Sequence, residues 1–473
     1  MLLSNEKRNL KVRLKSVVLT QKVRLKNVEY SHFFIYTFCM QRDFIKKLEQ
    51  WKNSSNRKPL IIQGARQVGK TWIIKEFGRT YFKNTLYVNF ENDSRLKNIF
   101  EDDFDIKRIL LLLSAETGIS INAQDTLIIF DEIQECPKAL TALKYFFENA
   151  HQYAVVCAGS LLGIALHSGT SFPVGKVDFL ELFPLTFKEF LFALNETALV
   201  EILESLDQKM ILALKSKFIE RLKEYYFVGG MPEAVLAFVT ENDFNKVRKI
   251  QKNLLNYYEQ DFSKHAPLNQ VPRLNLVWSS IPKQLAKENR KFIYSQLRTG
   301  ARAKDFEIAI QWLCDCGLIH KVHNVSKPGF PLKSYEDFDS FKIYLNDTGL
   351  LAAMADLDAK TLLNGNDFFT EFKGALTEQY VLQELKANFD FPIFYYSTPN
   401  SSGEIDFLIQ AEGQIIPIEV KANENLQAKS LKAFHQKWQN EISIRTSLSD
   451  FRKDDWLVNV PLYEIYLVDK VIG

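Results

Sequence analysis

The chain has 473 residues, of which 46% are hydrophobic and 25% charged, a composition typical of soluble globular proteins. A chain of this length is too long to fold around one hydrophobic core, which predicts several domains. The formal net charge of +3 leaves nucleic-acid binding open but requires any basic surface to be local. Five cysteines, an odd number, argue against a disulfide framework and predict a cytoplasmic location, and no apolar run approaches the roughly 20 residues of a membrane span.

Residues 1–39 differ from the rest of the chain. They contain eight Lys or Arg against two Glu, and "KVRLK" occurs twice, at 11–15 and 22–26. One interpretation is a basic arm for nucleic acid, and a second is a disordered basic extension. In a third, translation starts at Met40, because the text from "MQRDFIKKLEQW" onward is immediately domain-like. We favour the last two together.

Residues 59–77, "PLIIQGARQVGKTWIIKEF", predict a short strand, a loop and a helix. The loop fits the pattern G-x-x-x-x-G-K-[ST], whose glycines let backbone N–H groups wrap phosphates at a helix N-terminus. Lys70 would reach the β- and γ-phosphates of ATP, and the Thr71 hydroxyl would bind Mg²⁺. The predicted nucleotide-binding residues are Gly64, Ala65, Arg66, Gln67, Val68, Gly69, Lys70 and Thr71.

A P-loop also requires an acid, and "DTLIIFDEIQ" at 125–134 supplies it. Its apolar run predicts a buried parallel strand that ends in Asp131, which would hold Mg²⁺, and Glu132, which would polarise the attacking water. "NTLYVNFEND" at 84–93 and "YAVVCAGS" at 153–160 predict two further strands. Ser160 is placed either to sense the γ-phosphate or the water, or only to begin a turn. The extra strand and the glutamate beside the aspartate are typical of ATPases.

These motifs resemble the AAA-type ATPases of a bacterial and archaeal family whose members carry a C-terminal domain of unknown function. The resemblance runs from about Met40 to the C-terminus, and the matching stretches include "GARQVGKT", "IIFDEIQ", "CAGSLLG", "ELFPLTFKEFL", "YYFVGGMPEAV", "LCDCGLIHKVHNV" and "FKIYLNDTGLLAAM". It implies an AAA-type ATPase core over 40–200. Many relatives have Gly-Arg where this chain has Gly175-Lys176. Because lysine lacks the bidentate fork of an arginine finger, we interpret Lys176 as a solvated surface residue.

The middle of the chain predicts two further regions. Residues 201–280 have helical spacing and predict a helical lid, with Gly229-Gly230 as a helix break. Residues 281–355 read as helix, turn, helix and two strands, the order of a winged helix. The basic residues here are candidates for DNA contact, against the alternative of a rigid connector: Lys283, Lys287, Arg290, Lys291, Arg298, Arg302 and Lys304.

"GEIDFLIQAEGQIIPIEVKA" at 403–422 predicts a hairpin with its turn at Ala411–Gln414. In that register the two residue numbers of each cross-strand pair add up to 825, so Asp406 faces Glu419 and Glu404 faces Lys421. The opposite face is wholly apolar. Like charges directly opposed are destabilising, and a divalent cation between the two carboxylates would relieve them.

Aspartate followed by Glu-x-Lys on the next strand resembles the PD-(D/E)XK nuclease core, which also takes a glutamate from a preceding helix. The resemblance implies that Asp406 and Glu419 bind Mg²⁺ or Mn²⁺, supported by Glu378, and that Lys421 acts on the attacking water. It implies a nuclease-like domain over 356–473.

The predicted architecture is therefore an α/β multidomain protein: a P-loop parallel sheet of the AAA type, a helical lid, a winged helix and a C-terminal α/β nuclease-like domain. The predicted function is Mg²⁺-dependent ATP binding and hydrolysis coupled to a domain that acts on or binds nucleic acid. The alternative is a regulatory nucleotide switch with a catalytically inert C-terminal binding domain. DNA and a second copy of the chain are the candidate macromolecular partners, and no membrane is involved.

Overall fold

The computed structural model describes residues 41–160, 172–287, 290–364, 370–398, 403–424 and 427–472. The predictions about residues 1–39 lie outside these ranges. No helix in the described ranges is long and apolar enough to cross a membrane.

The N-terminal part of the described chain is an α/β layer structure. Its elements are α1 (Phe44–Asn53), β1 (Leu60–Gln63), α2 (Lys70–Tyr81), β2 (Asn84–Asn89), α3 (Ser94–Asn98), α4 (Ile106–Thr117), β3 (Thr126–Asp131), α5 (Pro137–Asn149), β4 (Ala154–Ala158), β5 (Asp178–Glu181) and α6 (Phe187–Ala193). The strands form one parallel sheet in the order β2-β3-β4-β1-β5. All of β3 and β4 is buried, as the apolar runs predicted. Because the strands are parallel, the ends of β1, β3 and β4 that carry the polar motifs meet at one edge.

Helices follow, as the 3.6-residue spacing of 201–280 predicted: α7 (Thr197–Ser205), α8 (Gln208–Ala213), α9 (Lys215–Val228), α10 (Pro232–Glu241), α11 (Phe244–His265) and α12 (Val271–Leu285). The predicted break at Gly229-Gly230 is confirmed, since α9 ends at Val228 and α10 begins at Pro232. Asp347 fills this break, because its carboxylate accepts the Gly230 N–H at 2.6 Å.

The region after α12 differs from the prediction. Residues 303–315 form one helix, α13 (Ala303–Asp315), rather than a helix, a turn and a second helix. The apolar residues Phe306, Ala309, Ile310 and Leu313 keep helical spacing and are buried, so nothing breaks the helix there. The two predicted strands are present as the antiparallel pair β6 (Ile319–Val325) and β7 (Glu336–Leu345).

The strands β6 and β7 belong to a larger sheet, whereas the predicted winged helix would have them as a separate two-stranded hairpin. The remaining elements are α14 (Thr348–Met354), α15 (Ala359–Asn364), α16 (Thr370–Asn388), β8 (Ile393–Ser397), β9 (Glu404–Ala411), β10 (Gln414–Val420), α17 (Lys429–Trp438), β11 (Ser443–Ser447), β12 (Arg452–Lys453), β13 (Leu457–Pro461) and α18 (Asp469–Ile472). The sheet order is β12-β13-β11-β10-β9-β8-β6-β7. Strands on both sides of the predicted boundary at residue 355 therefore share one sheet.

The register of the β9–β10 hairpin is the predicted one. Ala411 pairs with Gln414 and Phe407 pairs with Ile418, so the numbers of paired residues sum to 825. The two-residue turn is Glu412-Gly413, and both residues have positive φ, 47° and 75°, as tight hairpins require. On the predicted apolar face, Ile405, Phe407, Ile409, Ile416 and Ile418 are at most 1% exposed, while Val420, which we also predicted there, is partly exposed.

Candidate functional site

The loop between β1 and α2 has the backbone of a phosphate cradle. Gly64, Gln67 and Gly69 all have positive φ, 137°, 67° and 96°. A Cβ on Gly64 would lie 2.3 Å from the Leu182 carbonyl oxygen, so only glycine fits. The loop ends at the N-terminus of α2, where unpaired backbone N–H groups favour an anion.

Lys70, the first residue of α2, is buried and points back into this loop. Its Nζ donates hydrogen bonds to the carbonyl oxygens of Gly64 and Ala65, both at 2.8 Å. Burial lowers the pKa of Lys70 to about 8, and the nearby carboxylates of Glu132 and Asp131 oppose that shift. The ammonium group thus holds the loop in shape and lies where phosphate oxygens would take over its hydrogen bonds.

Thr71 and Asp131 meet as predicted. The Thr71 hydroxyl donates to Asp131 Oδ2 at 2.8 Å, and the Tyr87 hydroxyl donates to the same oxygen at 2.7 Å. Two hard oxygen donors beside a phosphate cradle fit Mg²⁺, which takes its other ligands from phosphates and water. Sequence reasoning missed Tyr87, which β2 places beside β3, and no local pattern marks it.

Glu132 and Ser160 lie at the same edge of the sheet. Glu132 has a left-handed backbone, with φ 49°, and its Oε2 accepts a hydrogen bond from Gln134 Nε2 at 2.7 Å. The side-chain oxygen of Gln134, Oε1, is buried without a hydrogen-bond partner in the described part of the chain. Ser160 is buried and follows β4, which lies between β1 and β3. Gln134 is thus a second residue that sequence reasoning missed.

Lys176 lies in a partly exposed ion pair. Its Nζ is 3.0 Å from Glu148 and 5.2 Å from the centre of the Phe147 ring. These contacts agree with the interpretation of Lys176 as a surface residue.

The C-terminal carboxylates gather around cations of the chain itself. Glu378 on α16 forms an ion pair with Arg290, whose Nη1 is also 3.7 Å from Asp406 Oδ1. Lys342 Nζ lies 3.1 Å from Glu378 and 2.5 Å from Glu404. The Tyr344 hydroxyl donates to Glu378 as well. The lysine in the otherwise apolar run "FKIYL" was the one sequence signal for this cluster.

The second half of the cluster lies on β10. Asp406 Oδ2 accepts the Val420 N–H at 2.8 Å, and Glu419 pairs with Lys421 at 2.8 Å. Burial raises the pKa of Glu419, while Lys421 opposes the shift. Lys421 therefore forms an ion pair with Glu419 rather than with Glu404, the residue that we predicted it to face.

The structure brings Glu378, Asp406 and Glu419 together but not as a metal site. In the described ranges no group of three or more His, Cys, Asp or Glu is arranged to hold a metal ion. Instead, Arg290 lies against Glu378 and Asp406, and Lys342 pairs with Glu378 and Glu404. Arg290, which we predicted in a basic surface patch, is mostly buried in this cluster instead.

Comparison with known families identifies the first of these two sites. A model of an AAA domain matches residues 56–191, which span the phosphate cradle, Asp131 and Glu132. The chain contains a P-loop ATPase domain. Such a domain binds and hydrolyses ATP, usually with Mg²⁺. Two further models, both of domains of unknown function, match residues 219–361 and 373–465.

Individual relatives share little sequence identity with the chain. An uncharacterized protein of Methanocaldococcus jannaschii is 24% identical over 388 residues, which cover 80% of this chain and 78% of the relative. A Walker-type ATPase of Pyrococcus abyssi is 14% identical, with a TM-score of 0.42 over 67% of this chain and 96% of that one. The Orc1 protein of Aeropyrum pernix, solved in complex with DNA, is 15% identical, with a TM-score of 0.26 over 66% of this chain and 90% of that one.

Later parts of the chain cover the P-loop of the ATPase domain. Arg66 pairs with Asp261 of α11 at 2.5 Å, and the Tyr258 hydroxyl donates to the Arg66 carbonyl oxygen at 2.9 Å. A Cβ on Gly317, at the end of α13, would lie 3.1 Å from the Ala65 nitrogen. Elements more than 190 residues away in sequence are thus in direct contact with the nucleotide loop.

Proposed function

We propose that this protein uses ATP binding and hydrolysis to control a C-terminal domain that acts on or binds nucleic acid. Lys70 would neutralise the transferred phosphoryl group, Thr71 and Asp131 would hold Mg²⁺, and Glu132 would polarise the attacking water. Mg²⁺ would supply charge neutralisation at the β- and γ-phosphates. Ser160 would contact the γ-phosphate or the attacking water.

The contact of Gly317 with Ala65 is the observation that carries the coupling. Gly317 lies two residues after the end of α13 and two residues before β6, a strand of the C-terminal sheet. A Cβ on Gly317 would lie 3.1 Å from the Ala65 nitrogen, so this turn lies beside the backbone that would wrap a phosphate. Nucleotide binding would therefore act on the C-terminal sheet through the close approach of Gly317 to the P-loop.

Two features support nucleic acid as the ligand of the C-terminal part. Lys283, Arg298, Arg302 and Lys304 remain exposed next to the C-terminal sheet, which gives a local basic surface on a nearly neutral chain. Asp406, Glu419 and Lys421 follow one another in the order of the PD-(D/E)XK motif, and they lie at the end of a hairpin whose pairs, from Ala411–Gln414 to Phe407–Ile418, have the predicted register.

A second candidate function is the regulatory switch with an inert C-terminal binding domain. The observation that favours it is Lys342, whose fully buried ammonium group bridges Glu378 and Glu404. A strand-borne lysine in this position neutralises the cluster permanently, as in a structural ion-pair network.

The two functions separate in one experiment. The purified protein would be incubated with supercoiled plasmid and with single-stranded DNA, with Mg²⁺ or Mn²⁺, with and without ATP, beside Asp406→Ala and Glu419→Ala. Cleavage that is lost in both variants supports the ATP-coupled nuclease. DNA binding that changes with ATP, without cleavage, supports the switch. Neither binding nor cleavage, with ATP turnover intact, would refute nucleic acid as the ligand.

A further inference from the structure

Two arginine side chains lie at the P-loop, and they differ in how many of their N–H groups are already engaged. Arg42 is 7% exposed; its Nη1 and Nη2 donate to backbone carbonyl oxygens at 3.3 and 2.6 Å, and its Nε pairs with Glu189 at 3.1 Å. The Arg66 side chain is 35% exposed and engages Asp261 through Nη1. Its Nε and Nη2 make no hydrogen bond to any described residue. Arg42 is therefore fixed in the scaffold of the loop, whereas Arg66 has N–H groups left for a ligand.

Arg66 is held on two sides by α11. The loop pattern assigns it a backbone N–H for phosphate and leaves its side chain unexplained. The Tyr258 hydroxyl donates to the Arg66 carbonyl oxygen at 2.9 Å, and the Asp261 carboxylate accepts from Nη1 at 2.5 Å. Tyr258 is 1% exposed and Asp261 is 8% exposed, so both contacts come from covered positions of the helix. Because its partners are buried, the guanidinium group is held in one place at the loop.

The C-terminal end of α11 lies close to the end of β3 as well. His265, the last residue of α11, follows Asp261 by one turn. Burial lowers the pKa of His265; a neighbouring lysine and Arg66 add to the shift, while Asp261 and Glu135 oppose it. Glu135 belongs to the short turn that begins at Glu132, since its N–H donates to the Glu132 carbonyl oxygen at 3.0 Å. Arg66 and Asp261 thus lie on the side of the P-loop that faces the carboxylate for the attacking water.

Arg66 adds a second cation to the space near Lys70. Burial lowers the pKa of Lys70 to about 8; Glu132 and Asp131 oppose the shift, and the positive charge of Arg66 adds to it. In hydrolysis the water oxygen attacks the γ-phosphorus, the bond to the bridging oxygen breaks with its electron pair leaving on ADP, and the water proton passes to Glu132. The negative charge on the γ-phosphate and bridging oxygens is what a guanidinium fork stabilises.

We propose that the Arg66 side chain binds the γ-phosphate of ATP and serves as an arginine finger that the active site supplies itself. Arg66 is then a catalytic residue, and Asp261 is a positioning residue that acts through it. The interpretation of Lys176 as a surface residue leaves this role open. The inference rests on the proposed roles of Lys70 and Glu132 in ATP hydrolysis and does not depend on a nucleic-acid ligand.

The test compares the binding of ADP and of AMP-PNP, a non-hydrolysable ATP analogue, to the full chain with Mg²⁺ by isothermal titration calorimetry. Arg66→Gln should weaken AMP-PNP binding by about tenfold to a hundredfold and change ADP binding by less than about twofold, because ADP lacks the γ-phosphate. Its kcat for ATP hydrolysis should fall by about a thousandfold. Arg66→Lys keeps the charge without the planar fork and should restore part of the AMP-PNP affinity. Arg79→Gln, which removes an exposed arginine of α2 paired with Glu76, should behave like the wild type.

Asp261→Asn separates positioning from a structural contact. It keeps an oxygen to accept the Arg66 N–H but loses the charge, so kcat should fall by about tenfold while AMP-PNP binding is retained. In the Arg66→Gln background the same change should have no further effect on kcat, because Asp261 acts through Arg66.

An equal loss of ADP and AMP-PNP affinity in Arg66→Gln would show that Arg66 only holds the loop in shape, and would overturn the proposal. An unchanged preference for AMP-PNP, or an unchanged kcat, would overturn it as well. A wild type that binds neither nucleotide would refute the ATP site itself and this inference with it.

Discussion

Glu384 on α16 is a buried acid at a contact with the ATPase domain. Its Oε1 accepts the backbone N–H of Phe187, the first residue of α6, at 2.7 Å. Burial raises the pKa of Glu384 to about 8; the Phe187 N–H opposes this shift and Glu189 adds to it. Glu189 itself pairs with Arg42 at 3.1 Å. The charge of Glu384 therefore changes close to neutral pH.

The sign of the effect on stability follows from the two pKa values. The unfolded-state pKa is about 4.5, so the folded protein prefers the neutral carboxyl, and this contribution to stability is lost as the pH rises through 8. At about 1.4 kcal/mol per pKa unit, the raised pKa lowers the free energy of unfolding, relative to its value at acidic pH. The loss is roughly 1.4 kcal/mol at pH 5.5, about 3 kcal/mol at pH 7 and about 5 kcal/mol at pH 9.

Glu384→Gln removes this dependence and keeps an oxygen to accept the Phe187 N–H. From pH 5.5 to pH 9 we expect the wild type to lose about 3 kcal/mol more free energy of unfolding than the variant, measured by urea unfolding. Some slope will remain in both proteins, because burial also raises the pKa of Asp347 to about 6 and of Glu464 to about 7. Glu201→Gln, at an exposed position on α7, is the control. Parallel pH profiles for wild type and Glu384→Gln would refute the reasoning.

Three further predictions concern the nucleotide site. Lys70→Ala should abolish binding of a fluorescent ATP analogue, and retained tight binding would contradict the P-loop assignment. Gln134→Ala should lower kcat for ATP hydrolysis by about tenfold to a hundredfold with little change in KM, because it frees the carboxylate of Glu132; an unchanged kcat would show that Gln134 does not position Glu132. Gly317→Ala should weaken ATP binding and cost about 1–2 kcal/mol of stability, because φ is 68° there and the methyl group would press on the P-loop. Gly300→Ala, with φ 78° and open space around it, is its matched control, and equal ATP affinity in the two variants would argue against the contact as the route of coupling.

Local sequence determined the ATP site and the hairpin. The P-loop glycines, Lys70 and Thr71 are contiguous, and Asp131 and Glu132 end an apolar strand, so strand periodicity and turn chemistry suffice to place them. The hairpin register also follows from short-range rules, because a two-residue turn at Glu412-Gly413 and one buried face allow a single alignment.

Only the tertiary structure decided what these sites touch. Arg290 reads as part of a basic surface in sequence, yet folding brings it to Glu378 and Asp406, because a buried acid cluster stabilises whichever cation can reach it. The contact of Gly317 with the P-loop joins residues about 250 positions apart. Strand propensity predicted β6 and β7 correctly. It does not indicate which strands pair with them, and their place in the C-terminal sheet comes from pairing with strands that are distant in sequence.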